Sequence, residues 1–183
     1  MRGGDAEKDM ETLPTRLNSR LITFCQTISP ERPIFVRSKP SSDAHLGYCF
    51  DNVARKIGRA GGTTAYGWAI WHFSGAYFEA EHHGVWRKRS GELMDVSPQY
   101  NHYPKILFLP DPTALYDPLG FRPNQVAADG DDPRSIEVVT LLRERYAMLD
   151  ACRARGARSL DWQSQFKSDQ LLQRIADILR ELG

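Results

Sequence analysis

Tyr77-Phe78-Glu79-Ala80-Glu81-His82-His83-Gly84-Val85-Trp86-Arg87 is the stretch on which the fold turns. Side chains alternate along a strand, so Phe78, Ala80, His82, Gly84 and Trp86 share one face and Glu79, Glu81, His83 and Val85 the other. His83 therefore belongs to the polar set and His82 to the apolar set. Upstream, Tyr66-Gly67-Trp68-Ala69-Ile70-Trp71-His72-Phe73 is apolar on both faces, as a strand in the middle of a sheet is, and Ser74-Gly75-Ala76 turns it into the next strand. Downstream, a turn near Lys88-Arg89-Ser90-Gly91 returns the chain along Glu92 to Ser97. A loop centred on Arg89 places His83 opposite Asp95, with Cβ atoms about 4.5–5.5 Å apart. A slip of one residue would put the two on opposite faces.

Working back, Gly47-Tyr48-Cys49-Phe50-Asp51-Asn52-Val53 reads as a helix start. Cys49, Val53 and Ile57 fall on one helical face, and Gly61-Gly62 supplies a left-handed stop. A cysteine in the first turn sits where the helix N-terminus favours thiolate over thiol. The simpler alternative is that Cys49 only packs. Thiol catalysis needs a deprotonated sulfur, an acid-base group within hydrogen-bond reach and something to orient that group. Cys49, His83 and Asp95 meet those needs in order along the chain.

These residues resemble the transglutaminase-like branch of the papain-like cysteine enzymes. That family sets its Cys at a helix N-terminus after G-x, its His on a following strand in a pattern such as H-H-A-W, and its Asp on the next strand in D-x-T-P or a variant. Here stand Gly47-Tyr48-Cys49, His82-His83-Gly84-Val85-Trp86 and Asp95-Val96-Ser97-Pro98. The resemblance implies Cys49 as nucleophile, His83 as base and acid, and Asp95 as orienter, acting on a protein or peptide amide. Trp86 departs from the pattern by standing three residues past His83. No Gln lies between Gln26 and Cys49, where papain-type proteases carry an oxyanion donor, so that role falls to backbone N–H groups or Asn52. Tyr48 and His82 are candidate supporting residues. The His strand is also similar to that of cell-wall amidases of the NlpC/P60 type.

Charge narrows the function classes. With 24 Lys and Arg against 23 Asp and Glu, no global field draws the protein to nucleic acid or a membrane surface. No apolar run approaches the roughly 20 residues of a spanning helix, and no apolar signal region follows the first residues, which makes the cytoplasm the expected location. Three distant cysteines, Cys25, Cys49 and Cys152, point to reduced thiols rather than disulfides or a Cys-rich zinc site. A metal site at Cys49, His82, His83 and Asp95 lacks the tight paired spacings of a zinc motif. No metal or cofactor is expected. Glu79 and Glu81 read as a solvated face.

The flanks complete the expectation. Residues 1–12 are charged and aperiodic, a disordered tail. A helix over Leu13 to Ile28 carries Cys25 on its apolar stripe, Ile34-Phe35-Val36 is a short strand, and Lys105 to Leu109 is a buried fourth strand. Tyr116 to Pro123 is loop. Asp132-Pro133 opens a helix to about Arg155 with Ile136, Val139, Leu142, Tyr146 and Leu149 inward and Gly156 as its stop. A short helical turn at Trp162 and Phe166 precedes a last helix, whose stripe of Leu171, Leu172, Ile175, Ile178, Leu179 and Leu182 must be covered by the domain or by a protein partner. The predicted class is α+β: an antiparallel sheet of about four strands with a nucleophile-bearing helix packed on it and a C-terminal helical hairpin. Its divisions are a tail at 1–12, a core at 13–123 and a helical appendage at 124–183. Three functions follow: a cysteine-dependent acyl-transfer enzyme performing hydrolysis, deamidation or transglutamination, a non-catalytic binding module, or a metal-dependent hydrolase.

Overall fold

The computed structural model describes residues 11–118, 122–157 and 159–182. The chain is α+β, but the open antiparallel sheet predicted above is not what forms. Five strands, β2 (Ile34–Ser38), β3 (Thr63–Phe73), β4 (Tyr77–Arg87), β5 (Leu93–Asp95) and β6 (Lys105–Pro110), close into a mixed barrel in the order β3-β6-β2-β5-β4, with β4 pairing back onto β3. The parallel step is β2 beside β5, where Arg37 faces Met94 and Ser38 faces Asp95. On its other side β2 runs antiparallel to β6, with Phe35 opposite Leu107. Closure satisfies strand edges that an open four-stranded sheet would leave bare. Alternation of apolar residues reveals which face of a strand is buried but not which strand lies beside it. The insertion of β2 between β5 and β6 was therefore invisible in the sequence.

Two further strands were not foreseen. β1 (Glu11–Thr12) pairs with the end of β3, so those two residues leave the expected disordered tail; residues 1–10 of that tail lie outside the described residues. β7 (Gln125–Ala128) pairs with the start of β4, Tyr77 opposite Ala128.

The chain forms two compact units, residues 13–70 with 81–116, and the hairpin end 71–80 with 11–12 and the residues from 117 onward. The C-terminal helices thus share their unit with residues 71–80, which the sequence assigned to the 13–123 core.

The first unit holds α1 (Ser19–Ile28) and α2 (Cys49–Ala60). α1 begins at Ser19 instead of Leu13 because Asn18 caps it, its carboxamide oxygen accepting from the Leu21 N–H at 2.8 Å. Leu21, Phe24 and Cys25 form its buried face. α2 is pinned by Val53, fully buried among Trp86, Met94 and Val96 with Ile57 at the margin. Burying a side chain such as Val53 contributes about 1.5–3 kcal/mol. Gly61, with φ of 69°, ends the helix by donating its N–H to Ile57.

In the second unit α3 (Pro133–Ala154) packs on β7 and on α4 (Trp162–Leu182). Asp132 caps α3 through the Arg134 N–H at 2.8 Å. The inward face of α3 is Ser135, Val138, Val139, Leu142 and Cys152. Ile136, predicted inward, is 51% exposed. α4 is one continuous helix, not a turn plus a helix, because Asp161 caps its start by accepting the Ser164 N–H. Leu171, Ile175, Ile178 and Leu179 of its stripe are buried within the chain. Glu79, read as solvated, is buried, its Oε1 accepting from Asn124 at 2.6 Å and from the Tyr146 hydroxyl.

Candidate active site

Cys49 is the first residue of α2 and is half-buried. Gly47 enters the helix with φ of 78°, which favours glycine, and nothing lies within 4 Å of where its Cβ would stand. The first N–H groups of a helix have no acceptor within it, and Tyr48, at the N-cap, supplies no side-chain hydrogen bond.

His83 comes from β4 and is 6% exposed; Asp95, at the end of β5, is fully buried. His83 Nε2 and Asp95 Oδ1 are 3.2 Å apart. The hairpin that brings them together is not the one predicted. Its loop centres on Ser90, with Gly91 at φ of 88° and Lys88 N–H donating to Glu92, and the register sets Trp86 opposite Met94 and Arg87 opposite Leu93. Against the expected pairing this is a shift of two residues, which preserves the face. Asp95 is consequently a diagonal neighbour of His83 and still reaches it.

Nε2 faces Asp95, and Cys49 acts on the same ring through its side chain. Burial alone would pull the imidazole below its ordinary 6.5. Interaction with Cys49 and with Asp95 outweighs burial and holds His83 well above that value. By contrast, Cys25 is fully buried in α1, and burial pushes its thiol up to about 11.

Asp95 is held by more partners than the sequence suggested. Its Oδ1 also accepts the Ser97 N–H at 3.1 Å, while Oδ2 accepts from the Ser38 hydroxyl at 3.1 Å and from the Gln99 amide. Ser38, Ser97 and Gln99 were given no role above. Ser97 carried a signal, standing two residues past the acid in Asp95-Val96-Ser97-Pro98. Ser38 carried none, because its approach depends on the parallel pairing of β2 with β5.

Asn52 is a tie rod. Its Oδ1 accepts the His45 N–H at 2.9 Å, and its amide donates to the His45 carbonyl at 2.8 Å and to Ser97 Oγ at 3.2 Å. Both amide hydrogens are thereby committed, and the residue couples the loop before Cys49 to the strand end that carries Asp95.

His82 points away from the reaction line. Its Nε2 lies 2.7 Å from the Ala114 carbonyl, and its ring packs 4.8 Å from Phe50 and 5.5 Å from Trp68 between centroids. Phe50 in turn stacks on Tyr116 at 4.2 Å. Gly84 leaves room for this cluster, since a Cβ there would stand 2.8 Å from the Phe50 ring. Tyr48 is 60% exposed beside the thiol. Among the described residues no three His, Cys, Asp or Glu side chains are grouped as metal ligands would be, and no helix is long and apolar enough to cross a membrane. No family model, no curated protein and no solved structure matches the chain.

Proposed function

We propose that the protein is a cysteine-dependent acyl-transfer enzyme of the transglutaminase-like kind, acting in the cytoplasm on a carboxamide or peptide bond of a protein or peptide. The observation that carries this reading is the buried His83–Asp95 pair at 3.2 Å, whose imidazole Cys49, at the start of α2, also acts upon.

In the first half-reaction Cys49 Sγ forms a bond to the carbonyl carbon, and the oxygen takes up negative charge next to the N–H groups that open α2. The C–N bond then breaks as His83 hands its ring proton to the departing nitrogen, leaving a thioester and a neutral imidazole. In the second half-reaction water or an amine attacks the thioester, His83 takes its proton, and the C–S bond breaks to free Cys49. Asp95 holds the ring in the tautomer and orientation both halves need, and is itself held by Ser38, Ser97 and Gln99. Hydrolysis, deamidation and transglutamination share these steps and differ only in leaving group and acceptor.

The test is native-state alkylation by iodoacetamide, read residue by residue by mass spectrometry. Cys49 is expected to react at about pH 6, where an ordinary thiol is nearly inert, and His83→Ala to slow that reaction by about tenfold or more. Cys25 stays unmodified until the protein unfolds. Protection of Cys49 in the native protein would overturn the proposal.

A further inference from the structure

Beside the far half of α2 lies a cleft of about 460 Å³ lined by Lys39, Lys56 and Lys88, by Ser41 and Ser42, by Asp43 with Arg59, and by Trp86. Lys56 stands seven residues past Cys49, about 10 Å along the helix. The cleft is therefore separate from the thiol, and nothing in the acyl-transfer mechanism uses it. The chain as a whole is nearly neutral, at +1. Here Lys88 of the hairpin turn and the helix residues Arg55, Lys56 and Arg59 come together about the cleft and its Asp43, beside the packing of Trp86 and Met94 on Val53.

The charges on this face divide into satisfied and unsatisfied. Arg59 grips Asp43 with both guanidinium nitrogens, at 2.9 and 2.7 Å, and Arg55 approaches the same carboxylate at 3.4 Å. Lys88 pairs with Glu92 at 2.7 Å. Among the described residues, Lys39 and Lys56 have no carboxylate partner. The Lys56 ammonium sits 5.0 Å from the Trp86 ring centroid, which fixes it at the cleft instead of letting it sweep through solvent.

The donor set points to one ligand chemistry. Planar carboxylates are best matched by a guanidinium fork, and the Arg59 fork is already occupied by Asp43. What stays available is two ammonium point charges and two hydroxyls arriving from different directions, which suits the tetrahedral array of oxygens on a phosphoryl group. We propose that this cleft binds a small phosphate-bearing molecule, with Lys39 and Lys56 neutralising the phosphoryl charge and Ser41 and Ser42 donating to its oxygens. The volume admits a ligand up to about the size of a mononucleotide.

Calorimetric titration of the full chain with inorganic pyrophosphate tests this. A saturable single site is expected, weakened about tenfold or more by Lys39→Gln and by Lys56→Gln, which keep the aliphatic stems and remove the charge. Lys105→Gln, on β6 with its ammonium over Phe35, is expected to change nothing. Circular dichroism of each variant verifies that it is folded. Three results would overturn the site: no saturable heat up to about 10 mM pyrophosphate; equal weakening by Lys105→Gln, the mark of diffuse attraction; or a tricarboxylate binding as tightly as pyrophosphate. Binding of a single-stranded oligonucleotide that strengthens with length while pyrophosphate gives no heat would equally reject the small-molecule assignment.

Discussion

Two histidine-carboxylate pairs among the described residues teach different things. In the first unit His83 and Asp95 meet at 3.2 Å with side chains 8% and 0% exposed; in the second, His72 and Asp129 meet at 2.7 Å with side chains 19% and 14% exposed. By distance alone the second pair is the tighter. Its carboxylate also accepts the Gly75 N–H, and its imidazole stacks on Phe78, so it fastens the tip of the hairpin. A short His–Asp contact is therefore not what marks a catalytic centre. What distinguishes His83 is a second partner: Cys49, at a helix start without a side-chain cap, which together with Asp95 holds the imidazole's pKa well above its ordinary value despite burial.

The comparison is broken most directly by removing the sulfur. Cys49→Ala is expected to abolish turnover of any carboxamide substrate while moving the thermal midpoint little, since the residue is only half-buried. Loss of folding in that variant, seen by circular dichroism, would mean the thiol belongs to the core. Next in size, His83→Ala should lower kcat by about 10²–10⁴-fold, whereas His72→Ala leaves kcat within about twofold. Comparable losses from both would erase the distinction between the pairs.

Stability against pH sharpens the same contrast. Because the folded-state value of His83 lies well above 6.5, its contribution to stability is complete below about pH 6.5 and is lost as pH rises through the folded-state value. Subtracting the thermal midpoint of His83→Gln from that of the native chain across the pH range should give a difference that declines with rising pH. A difference that grows instead would reverse the assignment. Gly84→Ala is expected to cost about 1–3 kcal/mol by forcing the Phe50 ring aside, measurable by urea unfolding. Smallest is the stability cost of His72→Ala, about 1 kcal/mol for a part-buried hydrogen bond.

Much of the candidate site was legible because its signals are local. The helical spacing of Cys49, Val53 and Ile57, the glycine pair after them, and the alternation along Tyr77–Arg87 each need only a few neighbouring residues to be read. The His83–Asp95 contact survived a register error for a simple reason: strand side chains repeat every two residues, and the true hairpin differs from the expected one by two. Asn52 shows the limit of such reading. Its identity suggested an oxyanion donor, and its contacts make it a brace between His45 and Ser97.

The sequence by itself determined the helices and most of the strands, the polar face on which His83 lies, and the order of thiol, imidazole and carboxylate, since periodicity and capping are properties of contiguous residues. Only the tertiary structure decided that β2 enters between β5 and β6 and closes the barrel, that Ser38 and Gln99 hold Asp95, and that lysines from a loop, a helix and a hairpin surround one cleft. Those outcomes depend on contacts between residues far apart in the chain, and no local pattern encodes which distant partner a satisfied strand edge or a buried carboxylate will find.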